Sequence, residues 1–512
     1  MNIMKNTIIK LASISVACVV ISACDSDFSN PVGDQNFSSG DADFTNFVSM
    51  GDSLTAGYAD GALYLNGQNN SYPAILAQQF AKVGGGNFSQ PLVSDNLGGL
   101  LFGGVANPAF GNRLVLNADA ALPRPVPEPI VGDPTTEVIG SGLNGSIFNN
   151  MGVPGAKSFH LGAPGYGNAA GLGAGSANPY FVRFSSVAPD ATVIVDAAIQ
   201  QPSFFTLWIG NNDVLSYATS GGIGEDQTGN FDPTTYGPND ITDPIVFEGT
   251  YDGLVDAMTA NPATQGVLIN IPDVATIPYF TTVPYNAVPL DQATADALNT
   301  AYTAYNGGVQ AALDLDVIDA AEAAQRTISF AAGQNAVVIL DEDLTDLTGI
   351  NAALINMRQA ATTDLLVLTT SSKIGELVDS NDDPQDPTSP RWGISAPLED
   401  GDALIPSEIQ AINTARTAYN VTIEAAADAD PNLLFVDAAA LMAELNSTGI
   451  DYGTGFVDST YATGGAFSLD GVHPTARGYA IVSNYIIDAI NSGFNANVPR
   501  VDPGSFTAIF VK

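Results

Sequence analysis

Basic side chains are scarce in this chain of 512 residues, with 15 Lys and Arg against 54 Asp and Glu and a formal net charge of −39. Charged residues make up only 13%, so the imbalance comes from missing cations rather than from abundant charge. A surface this acidic does not neutralise phosphates, which excludes a nucleic-acid partner. The same field repels anionic membrane surfaces and polyanionic substrates, and leaves neutral or cationic ligands open. Histidine is nearly absent too. Two histidines and two cysteines in all leave no zinc site. Cys18 and Cys24 both lie near the N-terminus, so the remainder of the fold rests on core burial rather than disulfides. Hydrophobic residues, at 45%, are plentiful enough for a large core and exclude global disorder. Length alone is a soft prior for about three domains.

The N-terminus reads as a targeting segment. Lys5 and Lys10 precede an uncharged run from Leu11 to Cys24 that ends Ile21-Ser22-Ala23-Cys24. A basic start, an apolar stretch and small residues before a cut site are the pattern of a secretory signal. The run is too short to span a bilayer comfortably. Its last four residues resemble the lipobox of bacterial lipoproteins, which implies cleavage after residue 23 and lipid on Cys24. Several acyl chains hold a protein at a membrane stably where one does not. The expected location is the bacterial cell envelope, at the outer membrane or cell surface. Cleavage removes two lysines and no acid, taking the charge from −39 to −41. Residues 24–45 are rich in Asp, Ser, Asn and Gly and read as a flexible tether. Such an acid surplus with scarce lysine also suits a saline setting.

Beyond residue 45, short apolar runs alternate with helical patterns. Candidate strands are 47–50, 205–209, 267–270, 336–340 and 433–436; candidate helices are 73–83, 251–260, 294–326, 406–427 and 478–491. That alternation predicts an α/β fold, a three-layer α/β/α sandwich around a mainly parallel sheet. The domain is expected over 46–500, with insertions at about 84–145 and 290–430 and a C-terminal tail at 501–512. The first insertion, rich in Gly, Pro and Asn, predicts loops and short hairpins. Asp379, Asn381 and Asp383 open with calcium-loop spacing. However, Pro384 and Pro390 stand where the turn glycine and bidentate glutamate belong, so a solvated loop is expected. Residues 297–306 (ALNTAYTAYN) and 411–420 (AINTARTAYN) match at eight of ten positions. That echo fits either a duplicated helix–strand unit or biased composition.

Four blocks carry chemistry. Gly51-Asp52-Ser53-Leu54 follows the first strand, placing a serine at the binding edge of an open α/β sheet. Asp470-Gly471-Val472-His473 sets an acid three residues from one of the two histidines. A neutral serine is a weak nucleophile that needs a base, and the base needs a partner to hold its tautomer. The alternative use of Asp470 is to cap the following helix. Between these blocks lie Gly210-Asn211-Asn212-Asp213 and Gly152-Val153-Pro154-Gly155. A glycine N–H and an asparagine amide are suitable donors for an oxyanion. A second Gly-x-Asn-Asp, at 237–240, follows turn residues rather than a strand and is set aside. Asp273 reads as a loop-structuring residue, and His160, with no acid beside it, as a loop or rim residue.

In this order the blocks resemble the SGNH, or GDSL, hydrolase superfamily. The resemblance implies Ser53 as nucleophile, His473 as general base and Asp470 as its partner. It also implies an oxyanion hole of the Ser53 N–H, the Gly155 N–H and the Asn212 side chain, with Gly152 as a neighbouring candidate for Gly155. The implied activity is metal-free and cofactor-free ester hydrolysis, as a membrane-anchored lipase or esterase; the chain's net negative field favours neutral esters and predicts an optimum at neutral to alkaline pH. Two alternatives remain: a carbohydrate O-acetylesterase of the same fold, and a non-catalytic glycan- or protein-binding surface lipoprotein. Since Ser53 and His473 must meet, most of the chain is expected to form one domain whose insertions frame the mouth.

Overall fold

The computed structural model describes residues 36–119, 126–383, 386 and 389–512. The expected signal segment, Cys24 and part of the 379–390 loop lie outside the described residues. Five strands form one parallel sheet: β1 (Phe47–Gly51), β2 (Asn150–Gly152), β3 (Phe204–Trp208), β4 (Gln265–Ile269) and β5 (Leu433–Val436). Their order is β5-β4-β3-β1-β2. The helices are α1 (Ser53–Ala56), α2 (Tyr72–Phe80), α3 (Asn212–Thr219), α4 (Pro244–Met258), α5 (Gln292–Asp314), α6 (Ala320–Arg326), α7 (Pro406–Ala429), α8 (Ala438–Ser447) and α9 (Ala476–Gly493), besides shorter turns.

Strand side chains alternate between two cores, which makes the sandwich three-layered. Phe47, Phe204, Val267 and Ile269 join Tyr72, Leu76, Ile486 and Ile490 of α2 and α9. Val48, Met50, Phe205 and Leu268 join Phe247, Leu254, Tyr419 and Ile423 of α4 and α7. Both faces are fully buried, as a parallel sheet requires. The three-layer α/β architecture is the one the sequence predicts.

Several boundaries differ from expectation. The tether reading fails over 36–45: Phe44 is 2% exposed, stacks 3.9 Å from Phe80, and Ser38 bridges to Asn497. The C-terminal residues are no loose tail either. Leu116 donates to Phe510 O and Lys512 donates back to Leu116 O, while the Arg113 guanidinium lies 4.3 Å from the Phe510 ring. The expected single helix over 294–326 is two helices, α5 and α6, because Asp316 takes φ 54° and Asp319 caps a new start. The strand expected at 336–340 is Val338–Leu340, paired antiparallel with Met357–Gln359 outside the main sheet. The second insertion ends earlier than residue 430, since α7 packs into the central core; residues 283–405 carry cores of their own.

The first insertion is built of short pieces, a three-stranded patch (β-strands at 100–102, 105–106 and 136–137) and a hairpin pairing Leu114–Asn117 with Val126–Pro129. The internal echo has a common structural use. Asn306 bonds both N and O of Ile328, and Asn420 bonds both N and O of Ile271. Each helix thereby clamps an extended segment in the same way.

Candidate active site

The turn after β1 is held from below. Asp52 caps α1, its Oδ1 accepting from Leu54 N at 2.9 Å, and its Oδ2 accepts from Asn211 Nδ2 at 3.0 Å. Burial pushes the Asp52 carboxyl up to about 6, against the pull of these two donors. Ser53 is the first residue of α1, so its N–H is one of the helix's uncommitted donors.

His473 reaches this turn from the far end of the chain. Its Nε2 lies 2.8 Å from Ser53 Oγ, and its Nδ1 lies 3.0 Å from Asp470 Oδ2. The Tyr58 ring backs the imidazole at 4.7 Å between centroids. Thr475, not Asp470, caps the following helix α9, accepting from Gly478 N. Asp470 is instead saturated with donors: Gly61 N, Val472 N, His473 N and Ser468 Oγ at 2.8 to 3.0 Å. Burial alone would raise its pKa, but the His473 ring and these N–H groups hold it down at about 2. The pair is an ionised carboxylate orienting one ring nitrogen while the other faces the hydroxyl. Gly471 permits the turn, at φ 73° and with Tyr279 backbone 3.1 Å from where a Cβ would stand; Tyr279 N donates to its carbonyl.

The donor residues lie on the neighbouring loops. Asn212 opens α3, and its Nδ2 donates one hydrogen to Ala156 O at 2.9 Å, leaving the second. Gly155 is exposed at φ 79° with open space beside it, and its N–H has no partner among the described residues. Gly152 differs: its N–H is bonded to Asn150 Oδ1, and a Cβ there would meet Ala56 N at 2.3 Å. Gly152 is a packing glycine, and Gly155 is the one with a donor to offer.

The other singled-out residues brace the site. Asp213, fully buried, accepts from Ser158 N and Oγ and so ties the Gly155 turn to α3. His160 Nδ1 accepts from Lys157 N; burial, then the Lys157 charge, lowers its pKa to about 4, and it stacks on Tyr166. Asp273 caps the short turn at 274–276. Asp240 braces its own loop through Gly237 N and Glu225 N. Glu342, Asp400 and Glu408 bring carboxylate oxygens within 4.8 Å of one another. Burial, then the charges of Glu342 and Asp400, push the Glu408 carboxyl up.

Sequence reasoning passed over Asp60 and Ser468. Asp60 Oδ1 accepts from Leu469 N, its Oδ2 accepts from Tyr64 OH, and its N–H donates to Ser468 Oγ. The Asp60-Gly61 dipeptide is a turn signal, but nothing local tells that the turn clasps a loop 400 residues on. Between the two insertions runs a cleft of about 910 Å³, lined by Leu114 and Val126 on one side, Tyr279 and Leu368 on the other, with Asp470 in its wall. No helix among the described residues is long and apolar enough to cross a membrane.

Comparison with curated proteins and with solved structures finds no match. A family model does match, from residue 47 to residue 486, a span that holds all four blocks and both insertions. The chain belongs to the GDSL-like lipase/acylhydrolase family.

Proposed function

We propose that the protein is a serine carboxylic-ester hydrolase that works through an acyl-enzyme, held at a bacterial membrane by lipid on Cys24. The observation that carries the reading is the hydrogen-bonded series Ser53–His473–Asp470. Ser53 Oγ attacks the ester carbonyl as His473 Nε2 takes its proton. The same nitrogen returns the proton to the departing alkoxide, then activates the water that frees the acid. Asp470, ionised and facing Nδ1, stabilises the imidazolium. The carbonyl oxygen gains charge among the Ser53 N–H, the Gly155 N–H and the free Asn212 hydrogen, and such preorganised donors are commonly the largest catalytic contribution.

The strongly negative chain favours neutral esters and helps expel a carboxylate product. The complete relay argues against a purely binding role for this scaffold. Purified full-length protein is expected to hydrolyse p-nitrophenyl acetate, and Ser53→Ala to abolish this. If wild type turns over no ester yet binds glycan, the binding reading replaces this one. For the anchor, Cys24→Ala is expected to abolish incorporation of labelled palmitate in a bacterial host; labelling that survives the substitution rejects it.

A further inference from the structure

A buried lysine anchors the turn that carries Gly155. Lys157 is 2% exposed, and its Nζ donates to the carbonyl of Asp240 at 2.5 Å. Burial, the largest influence, lowers its pKa, and the charges of Asp213 and then Asp240 oppose that. Taking an ammonium out of water is costly, and an apolar side chain of similar length would fill the space without that cost. Gly155 needs holding from outside. It sits at φ 79° without a side chain, and a glycine backbone is the least restrained of any, so its neighbours must aim its N–H. On one side Asn178 Nδ2 donates to Pro154 O at 2.8 Å. On the other, Asn212 donates to Ala156 O and Asp213 accepts from Ser158 N and Oγ. Residue 157 lies between these last two ties, and its own bond runs to a different segment.

That segment is the 220–243 loop, which joins α3 to α4, and it holds the Asp240 carbonyl still. Its Gly237-Pro238-Asn239-Asp240 repeats the spacing of residues 210–213 but is put to another use. The Asp240 carboxylate accepts from Gly237 N, Glu225 N and Gln227 Nε2. Ile241 N donates to Glu225 O, Gln227 N to Ile241 O, and Thr242 N to Asp213 O. The loop therefore closes against the same aspartate that holds Ser158.

We propose that Lys157 is a positioning residue of the oxyanion hole, locking the Gly155 turn to the 220–243 loop. The assignment rests on the serine-hydrolase reading and adds to it a residue outside the reacting set. A backbone donor stabilises the oxyanion only when it is already aimed at the place where charge develops. A displacement of about 1 Å there costs on the order of 10²-fold. The loss falls on the transition state and spares the bound ester, so it belongs to kcat rather than KM.

Lys157→Met keeps the stem and removes the ammonium. In the full chain, assayed on p-nitrophenyl acetate, kcat is expected to fall on the order of 10–100-fold with KM little changed. A trifluoromethyl ketone reads the hole directly. Ser53 Oγ adds to its carbonyl carbon, the serine proton passes to His473, and the carbonyl oxygen becomes the oxyanion. Its affinity should fall with kcat. Lys157→Arg keeps the charge and a donor, and should recover part of both losses. Asp240→Ala reaches the same tie from the other end, leaving the carbonyl but freeing it from its three braces. It should lower kcat in the otherwise wild-type chain and add little in the Lys157→Met background. If Lys157→Met fails to fold, the Asp240→Ala kinetics and ketone affinity alone decide. Folded variants that keep wild-type kcat and ketone affinity, or that change only KM, overturn the role of Lys157 and leave the hydrolase reading standing. Two losses that simply multiply in the double variant overturn it as well. Wild type inactive on every ester overturns both readings.

Discussion

The Nε2 of His473 stands 2.8 Å from the Oγ of Ser53 although 420 residues separate them in the chain. The contact is secured by backbone groups around it rather than by the two side chains alone. Gly61 N donates to Asp470 Oδ2, Leu469 N donates to Asp60 Oδ1, and Tyr479 OH donates to Tyr58 O. The loop after α1 and the loop before α9 are thus sewn together just beside the relay. The first insertion and the segment leading into the second hang from this seam: Leu114 N donates to Asp60 O, and Tyr279 N donates to Gly471 O.

Replacing the orienting acid should cost activity and leave binding intact. Asp470→Asn presents the wrong partner to His473 Nδ1, for which a loss of about 10⁴ in kcat is expected. KM should move little. A variant retaining more than a tenth of wild-type kcat contradicts the assigned role.

Asn212→Ala removes a donor to the developing oxyanion and also its bond to Ala156 O. The first effect costs on the order of 10²–10³ in kcat. The second loosens the turn that carries Gly155, so the fall should lie at the upper end of that range. Steady-state kinetics showing a change only in KM would remove Asn212 from the hole.

Asp60 acts through Asp470. Asp60→Ala strands the Leu469 N–H and frees the Tyr64 hydroxyl, with an expected loss of stability on the order of 1–3 kcal/mol. Lower kcat at near-constant KM is expected, because the substrate is not touched. Asp60→Asn keeps an acceptor for Leu469 N and should restore much of kcat. If stability falls in Asp60→Ala while kcat holds, the residue supports the fold only.

Stability should be greatest in mild acid. Burial raises Asp52 and Asp60 from 3.8 to about 6, so between about pH 4 and 6 the folded chain holds more protons than the unfolded one. Stability then falls as pH rises through that window, by on the order of 2 kcal/mol for each group. Glu408, pushed up chiefly by burial, extends the decline. Asp470 works the other way. It is held at about 2, below the ordinary carboxylate value of 3.8, so its contribution is present above 3.8 and lost as pH falls toward 2. Thermal unfolding should peak near pH 4, and Asp52→Asn should flatten the slope above that peak. A Tm that climbs steadily from pH 4 to 8 contradicts this balance.

Most of the sheet was legible because its strands are apolar runs buried on both faces. β2 was not, since Asn150-Met151-Gly152 has one apolar residue and becomes a strand only by pairing with β1. The polar stretch before residue 46 misled for a related reason. Its Asp and Thr side chains serve the chain's own turns, Asp43 Oδ1 accepting from Thr45 N and Oγ1, while Ala42 and Phe44 do the packing. An Ala-rich helical period ran through 315–319 without showing the break that Asp316 imposes. At the site, the blocks carry the reacting groups because chemistry restricts residue type. The bracing by Asp60, Ser468 and Asp213 was hidden because a carboxylate accepting backbone N–H groups leaves no signature in sequence. Gly155 over Gly152 likewise needed the structure, in which only one of the two N–H groups is free.

The central claim is that Ser53 is an activated nucleophile, and covalent trapping tests it most directly. A fluorophosphonate probe should label the wild-type chain at Ser53, located by peptide mapping, with labelling strongly slowed in His473→Ala and absent in Ser53→Ala. A wild-type chain that takes no label while folded, or equal labelling of Ser53→Ala, would contradict it.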